Sequence, residues 1–420
     1  MKVRSLFLSM CAVVALASCS QNDDETPGVK SDAPEAKIVI KLEGTGTQPG
    51  SRVAGLPTNE ELATKNGKVN DLTIFVFNNS GTVIAKKYFG TPAAGANEVP
   101  TTTDATEVAV VTNTGDQTGA GKLFATVASK AALKAVLADM FRNPDDSGGV
   151  VSQTDNNVYM SGLGTVGEFS DENSTLKASV TVQLKYLAAR VQLKDITFNG
   201  KEVHDNKYVQ AGTYDASADA NFTITRVYLM NVQRATHFLP ATDGGTDYMT
   251  QDDKIFAGGV EWANPWTGMA PNGYKPNNEY TIEAGSGKFD AQNSNKISDI
   301  GHWYTFANTG VSDMANHPTA LVVEVKWRKT QADAGQGIAK EDQTLYFTTY
   351  FGGGDQVELE PGKVYTVSLK LNGNFKPTND GGSGGGGTED PTKPTVNSAI
   401  EVTVTPATWV LAADIDKEWT

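Results

Sequence analysis

Residues 69–78 read VNDLTIFVFN, and at Ile74, Phe75, Val76 and Phe77 neither face of an extended chain is polar. A short run of β-branched and aromatic residues, apolar on both sides, fits a central strand in a sheet covered on each face. Turn residues Asn78-Asn79-Ser80-Gly81 follow, and residues 82–89 return as the second arm of a hairpin. The same construction recurs at 107–112, 176–184, 186–198, 221–232, 321–327, 345–351 and 364–371, each run bounded by Gly, Asn, Asp or Pro. The pattern predicts an all-β chain of packed sandwiches. One helix is expected over 126–142, where Leu133, Val136, Leu137, Met140 and Phe141 recur at three- and four-residue spacing ahead of Asn143-Pro144. A chain of 420 residues exceeds a single core, so two domains are expected, at 53–184 and 185–375. Residues 240–310 are polar, aromatic and irregular, and are expected to form long surface loops.

The chain has two cysteines, Cys11 and Cys19. Lys2 and Arg4 precede an apolar stretch, residues 6–17, that is too short for a stable membrane span. Leu16-Ala17-Ser18-Cys19 then reads as a lipobox, which makes residues 1–18 a signal peptide and the Cys19 thiol the site of acylation, by palmitate or a similar chain. An ordinary secretory signal with a coincidental cysteine is the other reading. In either case the mature body keeps no disulfide chemistry. Residues 20–25 (SQNDDE) resemble the signal that sends Bacteroidetes lipoproteins to the outer face of the outer membrane, and they read equally as a solvated acidic tether.

Residues 36–43 (AKIVIKLE) alternate, with Ile38, Ile40 and Leu42 on one face. Residues 44–55 (GTGTQPGSRVAG) follow, loose and glycine-rich, with Arg52 as their single basic residue. Loops of this composition are preferred sites of proteolysis. An Arg-specific protease cutting between Arg52 and Val53 would release residues 19–52, lipid and strand together; a solvated charge is the alternative.

The far end repeats the theme. Ile400, Val402 and Val404 alternate with Glu401, Thr403 and Thr405, and Trp409 and Leu411 carry the apolar run past Pro406. Residues 376–398 include Gly381-Gly382-Ser383 and four further glycines, a flexible linker. A strand on such a leash, residues 399–420, suits addition to the open sheet edge of a neighbouring copy.

Chemistry is inconspicuous. A formal net charge of −14 argues against nucleic acid as a partner. His204, His237, His302 and His317 show no metal-ligand spacing, and no G-x-S-x-G motif marks a nucleophile. Asp252-Asp253 reads as a weak calcium site or, more simply, a solvated loop. Neither catalytic residues, nor a cofactor, nor a metal is expected. Trp262, Trp266 and Tyr274 are candidate glycan contacts, or loop anchors.

Several of these segments together resemble the FimA-type fimbrillins, the type V pilins of Bacteroidales. The likeness is carried by Cys19, residues 36–43, Arg52, residues 71–77, Val111-Thr112-Asn113-Thr114-Gly115, Ala188-Ala189-Arg190-Val191, and the tail with Trp409, Leu411 and Trp419. The linker is longer and richer in glycine than the family's. The resemblance implies two transthyretin-like β-sandwich domains and polymerisation by protease-triggered donor-strand exchange. In that scheme Ile38, Ile40 and Leu42 are displaced, and Ile400, Val402, Val404, Trp409 and Leu411 of another copy replace them. Implied partners are further copies in a filament, accessory and anchor fimbrial subunits, an Arg-specific protease, the outer membrane through the precursor's lipid, and host or bacterial surface ligands. The expected role is a structural pilin for adhesion or biofilm formation. A surface-exposed glycan-binding lipoprotein, and an accessory tip or anchor fimbrillin, are the competing readings.

Overall fold

A computed structural model describes residues 32–44, 69–92, 97–140, 153–154, 157–198, 222–245, 247–250, 253–257, 280–283, 296–312, 316–328, 342–352, 357–371 and 400–408. The early alternating run forms β1 (Glu35–Gly44). β2 (Leu72–Asn78) and β3 (Val83–Phe89) form the expected hairpin. Its turn is held by Asn78, whose Oδ1 accepts the backbone N–H groups of Ser80 and Thr82 at 3.1 and 3.0 Å, while Gly81 takes a φ of 75°. The left-handed region is open to glycine at little cost, which is why it stands there.

β4 (Asn97–Thr102) and β5 (Ala105–Thr112) follow each other closely in the chain but do not pair with each other. β6 (Leu137–Asp139), β7 (Met160–Thr165), β8 (Ser170–Glu172) and β9 (Thr175–Tyr186) complete the first half. Their sheet runs β3-β2-β5-β7-β9-β1-β4, with β8 attached to β9. β9 is shared: residues 176–184 carry β1, and Lys185 and Tyr186 carry β7. Along it Ala178, Val180, Val182 and Leu184 are buried, while Ser179, Thr181 and Gln183 face solvent, the period-2 signature of a half-covered strand. β2 is buried at every position from Leu72 to Phe77, as its doubly apolar sequence requires.

Asn113 and Asp71 lock the end of β5 onto the start of β2. The Asn113 N–H donates to the Asp71 carbonyl at 3.0 Å, and its Oδ1 accepts the Asn70 N–H at 2.8 Å. Gly115 N–H donates to Asp71 Oδ1 at 3.0 Å. Asn113 adopts a φ of 66°, a conformation asparagine tolerates better than most residues.

Over the described residues 126–140 the expected long helix is not formed. Within them α1 (Lys130–Lys134) alone is helical, started by Ser129, whose hydroxyl accepts the Ala132 N–H. The chain then straightens into β6, which pairs with β13 (Ala235–His237) in the register Ala235↔Asp139 to His237↔Leu137. An inter-strand ladder outcompetes a helix whose apolar spacing is compatible with both.

β10 (Ala188–Phe198), β11 (Phe222–Met230), β12 (Val232–Gln233), β13, β14 (Phe256–Ala257), β15 (Thr281–Glu283), β16 (Lys296–Phe306), β17 (Thr319–Arg328), β18 (Asp342–Phe351), β19 (Lys363–Leu371) and β20 (Ile400–Thr408) build the second half. Two sheets dominate it, β16-β10-β19-β20 and β15-β11-β17-β18. Leu193, Ile297 and Val367 of one and Val227, Val323 and Phe347 of the other belong to one buried core. The fold is therefore all-β, in two β-sandwich halves with a single short helix among the described residues.

Within 240–310, where long surface loops are expected, the described residues include β14, β15 and the eleven-residue β16. Its alternation is broken: Ile297 and Ile300 are both buried although three apart, because the pairing with β10 shifts register between Leu193 and Asp195. Gly301 permits the irregularity, since a Cβ there would come within 2.5 Å of Ile282 Cδ1.

Candidate functional site

The functional geometry centres on the seat of β1. This strand is interior, antiparallel to β4 from Glu35↔Thr102 to Ile40↔Asn97 and parallel to β9 from Ala36↔Leu176 to Gly44↔Leu184. Ile38 and Ile40 are 0% exposed, and Leu42 is half-buried against the same core. Ile38 lies between Val99 and Ala178, and Ile40 between Asn97 and Val180. Burying an isoleucine contributes roughly 1.5–3 kcal/mol relative to leaving it in water, and β1 adds a backbone ladder on each side.

β1 also holds β4 in place. Among the described strands β4 has no other hydrogen-bonded neighbour, so without β1 both β4 and the paired edge of β9 carry unmatched N–H and C=O groups. On the outer face Glu98 bridges the seat. Its carboxylate lies 3.5 Å from Lys37 Nζ on β1 and 3.2 Å from Lys177 Nζ on β9. The Lys177 hydrogen bond, supported by the charges of Lys177 and Lys37, holds the Glu98 carboxyl below its usual pKa. These three side chains are solvent-exposed or nearly so, and pairs of that kind orient more than they stabilise.

The tail strand is already paired in this molecule. β20 runs antiparallel to β19, from Leu371↔Ile400 through Leu369↔Val402 and Val367↔Val404 to Lys363↔Thr408. Among the described strands it ends its sheet, with β19 as its one hydrogen-bonded neighbour there. Pro406 sits opposite Tyr365, a position an edge strand tolerates because a missing N–H can face outward. The sequence left open whether the tail packs on its own body. Over residues 400–408 it does.

Cys19, Arg52, Val53, Trp409 and Leu411 lie outside the described residues, as do Trp262, Trp266, Tyr274, His204 and Asp252. Of the remaining histidines, His237 Nδ1 is 3.2 Å from the Val136 carbonyl, His302 packs edge-on to Tyr304, and His317 packs on Phe256; they do not converge. Among the described residues no group of three or more His, Cys, Asp or Glu could hold a metal ion, and no helix is long and apolar enough to cross a membrane. Sequence reasoning found the buried face of β1 and the body of β9 but missed β4. The run Asn97-Glu98-Val99-Pro100 looks like a loop, and its strand character comes from β1 beside it.

Comparison with known proteins converges on one group. The family model described as major fimbrial subunit protein (FimA) matches residues 36–226, and that described as FimA-like major fimbrial subunit protein, C-terminal domain, matches residues 273–409. The first match begins within β1 and the second ends just past β20. A solved structure from Bacteroides eggerthii DSM 20697, named as a candidate cell adhesion protein, is 27% identical with a TM-score of 0.62, covering 91% of this chain and 99% of its own. A fimbrilin (FimA) from Porphyromonas gingivalis W83 shares the fold at 15% identity and a TM-score of 0.53, covering 90% of this chain and 99% of its own. A Parabacteroides distasonis ATCC 8503 protein, also named as a candidate for cell adhesion, does so at 16% and 0.53, covering 89% and 97%. No curated protein sequence matches the chain.

Proposed function

The chain belongs to the FimA-type fimbrillin family, a group of fimbrial subunits, and from that premise we propose that it polymerises by exchanging β1 for the tail of another copy. One observation carries this reading: among the described strands, β1 has partners on both sides, whereas β20 has a partner on one. A tail that moves from its own β19 into the seat of a neighbour gives up one ladder and gains two. It also buries Ile400, Val402 and Val404 where Ile38, Ile40 and Leu42 had been. The entropy lost on joining two copies offsets part of that gain.

Direction comes from cleavage. While residues 45–68 tether β1 to the body, its effective concentration at the seat is millimolar or so, and an incoming strand cannot compete. Cutting between Arg52 and Val53 removes that advantage without removing a single contact of β1. The precursor is anchored to the outer membrane through lipid on Cys19, and departure of the cut strand frees the body from the anchor. The mature subunit serves in the stalk of a cell-surface fimbria, joined to accessory and anchor subunits. Adhesion to a host or bacterial surface ligand fits the name of the Bacteroides eggerthii relative.

The test is direct. Purified precursor is cut at Arg52 by a trypsin-like protease, and the product is mixed with synthetic peptide 400–419. Strand exchange requires that peptide 19–52 is released as tail peptide is taken up. Retention of residues 36–44 at saturating tail peptide rejects the mechanism while leaving the family assignment intact.

A further inference from the structure

Lys254 lies two residues before β14, and it is turned inward at 4% exposure. Its Nζ donates to Asn308 Oδ1 at 2.9 Å and to the Thr309 carbonyl at 2.6 Å. Among the described residues no carboxylate lies within ion-pair distance of it. The charges of Glu358 and Asp247 reach it and favour the ammonium, but burial outweighs them and brings its pKa down to about 8. Near neutral pH a minor but substantial share of the amine is therefore unprotonated and nucleophilic.

Asn308 is 0% exposed and held rigidly. Its Nδ2 donates to the His317 carbonyl and to Thr319 Oγ1, each at 3.1 Å, and its backbone N–H donates to the Leu359 carbonyl at 2.8 Å. The amine and the carboxamide are thus locked side by side in a site with little access for water. Glu358, whose charge reaches Lys254, is anchored on the neighbouring loop, its carboxylate accepting the N–H groups of Gly310 and Val311 at 3.0 and 2.8 Å.

We propose that Lys254 and Asn308 join through an intramolecular isopeptide bond. The neutral Nζ attacks Asn308 Cγ, the Nζ–Cγ bond forms, and the Cγ–Nδ2 bond breaks. Nδ2 leaves as ammonia, carrying away a proton given up by Nζ, so nothing is oxidised or reduced and no co-reactant is needed. Holding amine and amide in contact supplies the proximity that makes such a slow bimolecular reaction feasible. The product replaces a buried ammonium by a neutral amide, which removes the desolvation cost of the charge. Mechanically, the bond closes residues 254–308 into a covalent loop. Tension along a filament would then bypass the chain between them.

The experiment is intact-mass spectrometry of the wild-type protein followed by digestion and tandem sequencing. The expected result is a mass lower than the sequence mass by one ammonia, and a branched peptide joining Lys254 to Asn308. Lys254→Arg and Asn308→Ala should each restore the full mass, less the change of side chain. A wild-type protein of full sequence mass, with Lys254 and Asn308 in separate peptides, overturns the proposal. An ammonia loss that maps to other residues overturns it equally. Because the wild type is the primary sample, misfolding of a variant does not affect the outcome.

Discussion

Ile38 of β1 stands directly opposite Val99 of β4, and both side chains are buried. In the proposed exchange β1 leaves the subunit and β4 stays. Mutations in β1 should therefore act on the precursor and vanish from the product. Ile40→Ala should lower the stability of the uncut protein by about 2–5 kcal/mol, the range for truncating a buried isoleucine. Urea denaturation measures this. Filaments grown from the same variant after cleavage should match wild type in stability, and β1 should leave the cut subunit faster.

Because β4 depends on β1 for its pairing, its backbone should report the state of the seat. In hydrogen exchange, the amides of β4 that point toward β1 should be protected in the precursor and exposed once β1 is stripped away. Protection should return on adding peptide 400–419. Protection that survives removal of β1 with no replacement would mean that β4 has another partner.

A third prediction concerns the ion pairs of α1. Asp243 accepts from Lys130 and Lys134, at 2.5 and 2.8 Å, and the Lys130 hydrogen bond is foremost in lowering its pKa below the ordinary 3.8. A carboxyl whose folded pKa is depressed adds stability above its unfolded pKa and loses it as pH falls through the folded one. The Asp243 side chain is 49% exposed, so screening limits the contribution to about 1 kcal/mol or less. Asp243→Asn should weaken the protein slightly at neutral pH. The difference from wild type should shrink to nothing as the pH drops below the carboxylate range, as read by denaturation at several pH values.

The tail should show a face preference. Val402→Asp or Val404→Asp in a peptide spanning 400–419 should abolish binding to the cut subunit, since an unpaired charge in the buried row costs several kcal/mol. Thr403→Asp points the other way in a strand and should matter much less. Calorimetric titration of the three peptides separates the cases, and equal loss across both faces would falsify the assigned register of the donor.

Much of this architecture was legible in the sequence because strands covered on one face alternate. β1, β9 and β19 could be read directly, and β2 stood out because both of its faces are apolar. Elements that owe their form to a neighbour could not. β4 contains Pro100 and is a strand only beside β1; β16 hides its alternation behind the irregularity at Gly301; residues 137–139 carry helical spacing yet pair with β13. For the same reason β1 was recognisable as a strand while β4, which pairs along its other side, was not. Lys254 and Asn308 lie 54 residues apart, and nothing in the local sequence of either points to the other.

The central claim is that cleavage beside β1 licenses the tail of one copy to complete the next. Negative-stain electron microscopy of three purified proteins tests it most directly: wild type cut at Arg52, Arg52→Ala exposed to the same protease, and cut protein lacking residues 399–420. The account predicts filaments from the first alone, with the second and third remaining monomeric. Filaments from Arg52→Ala or from the tail-less protein, as abundant as those of the cut wild type, would contradict it.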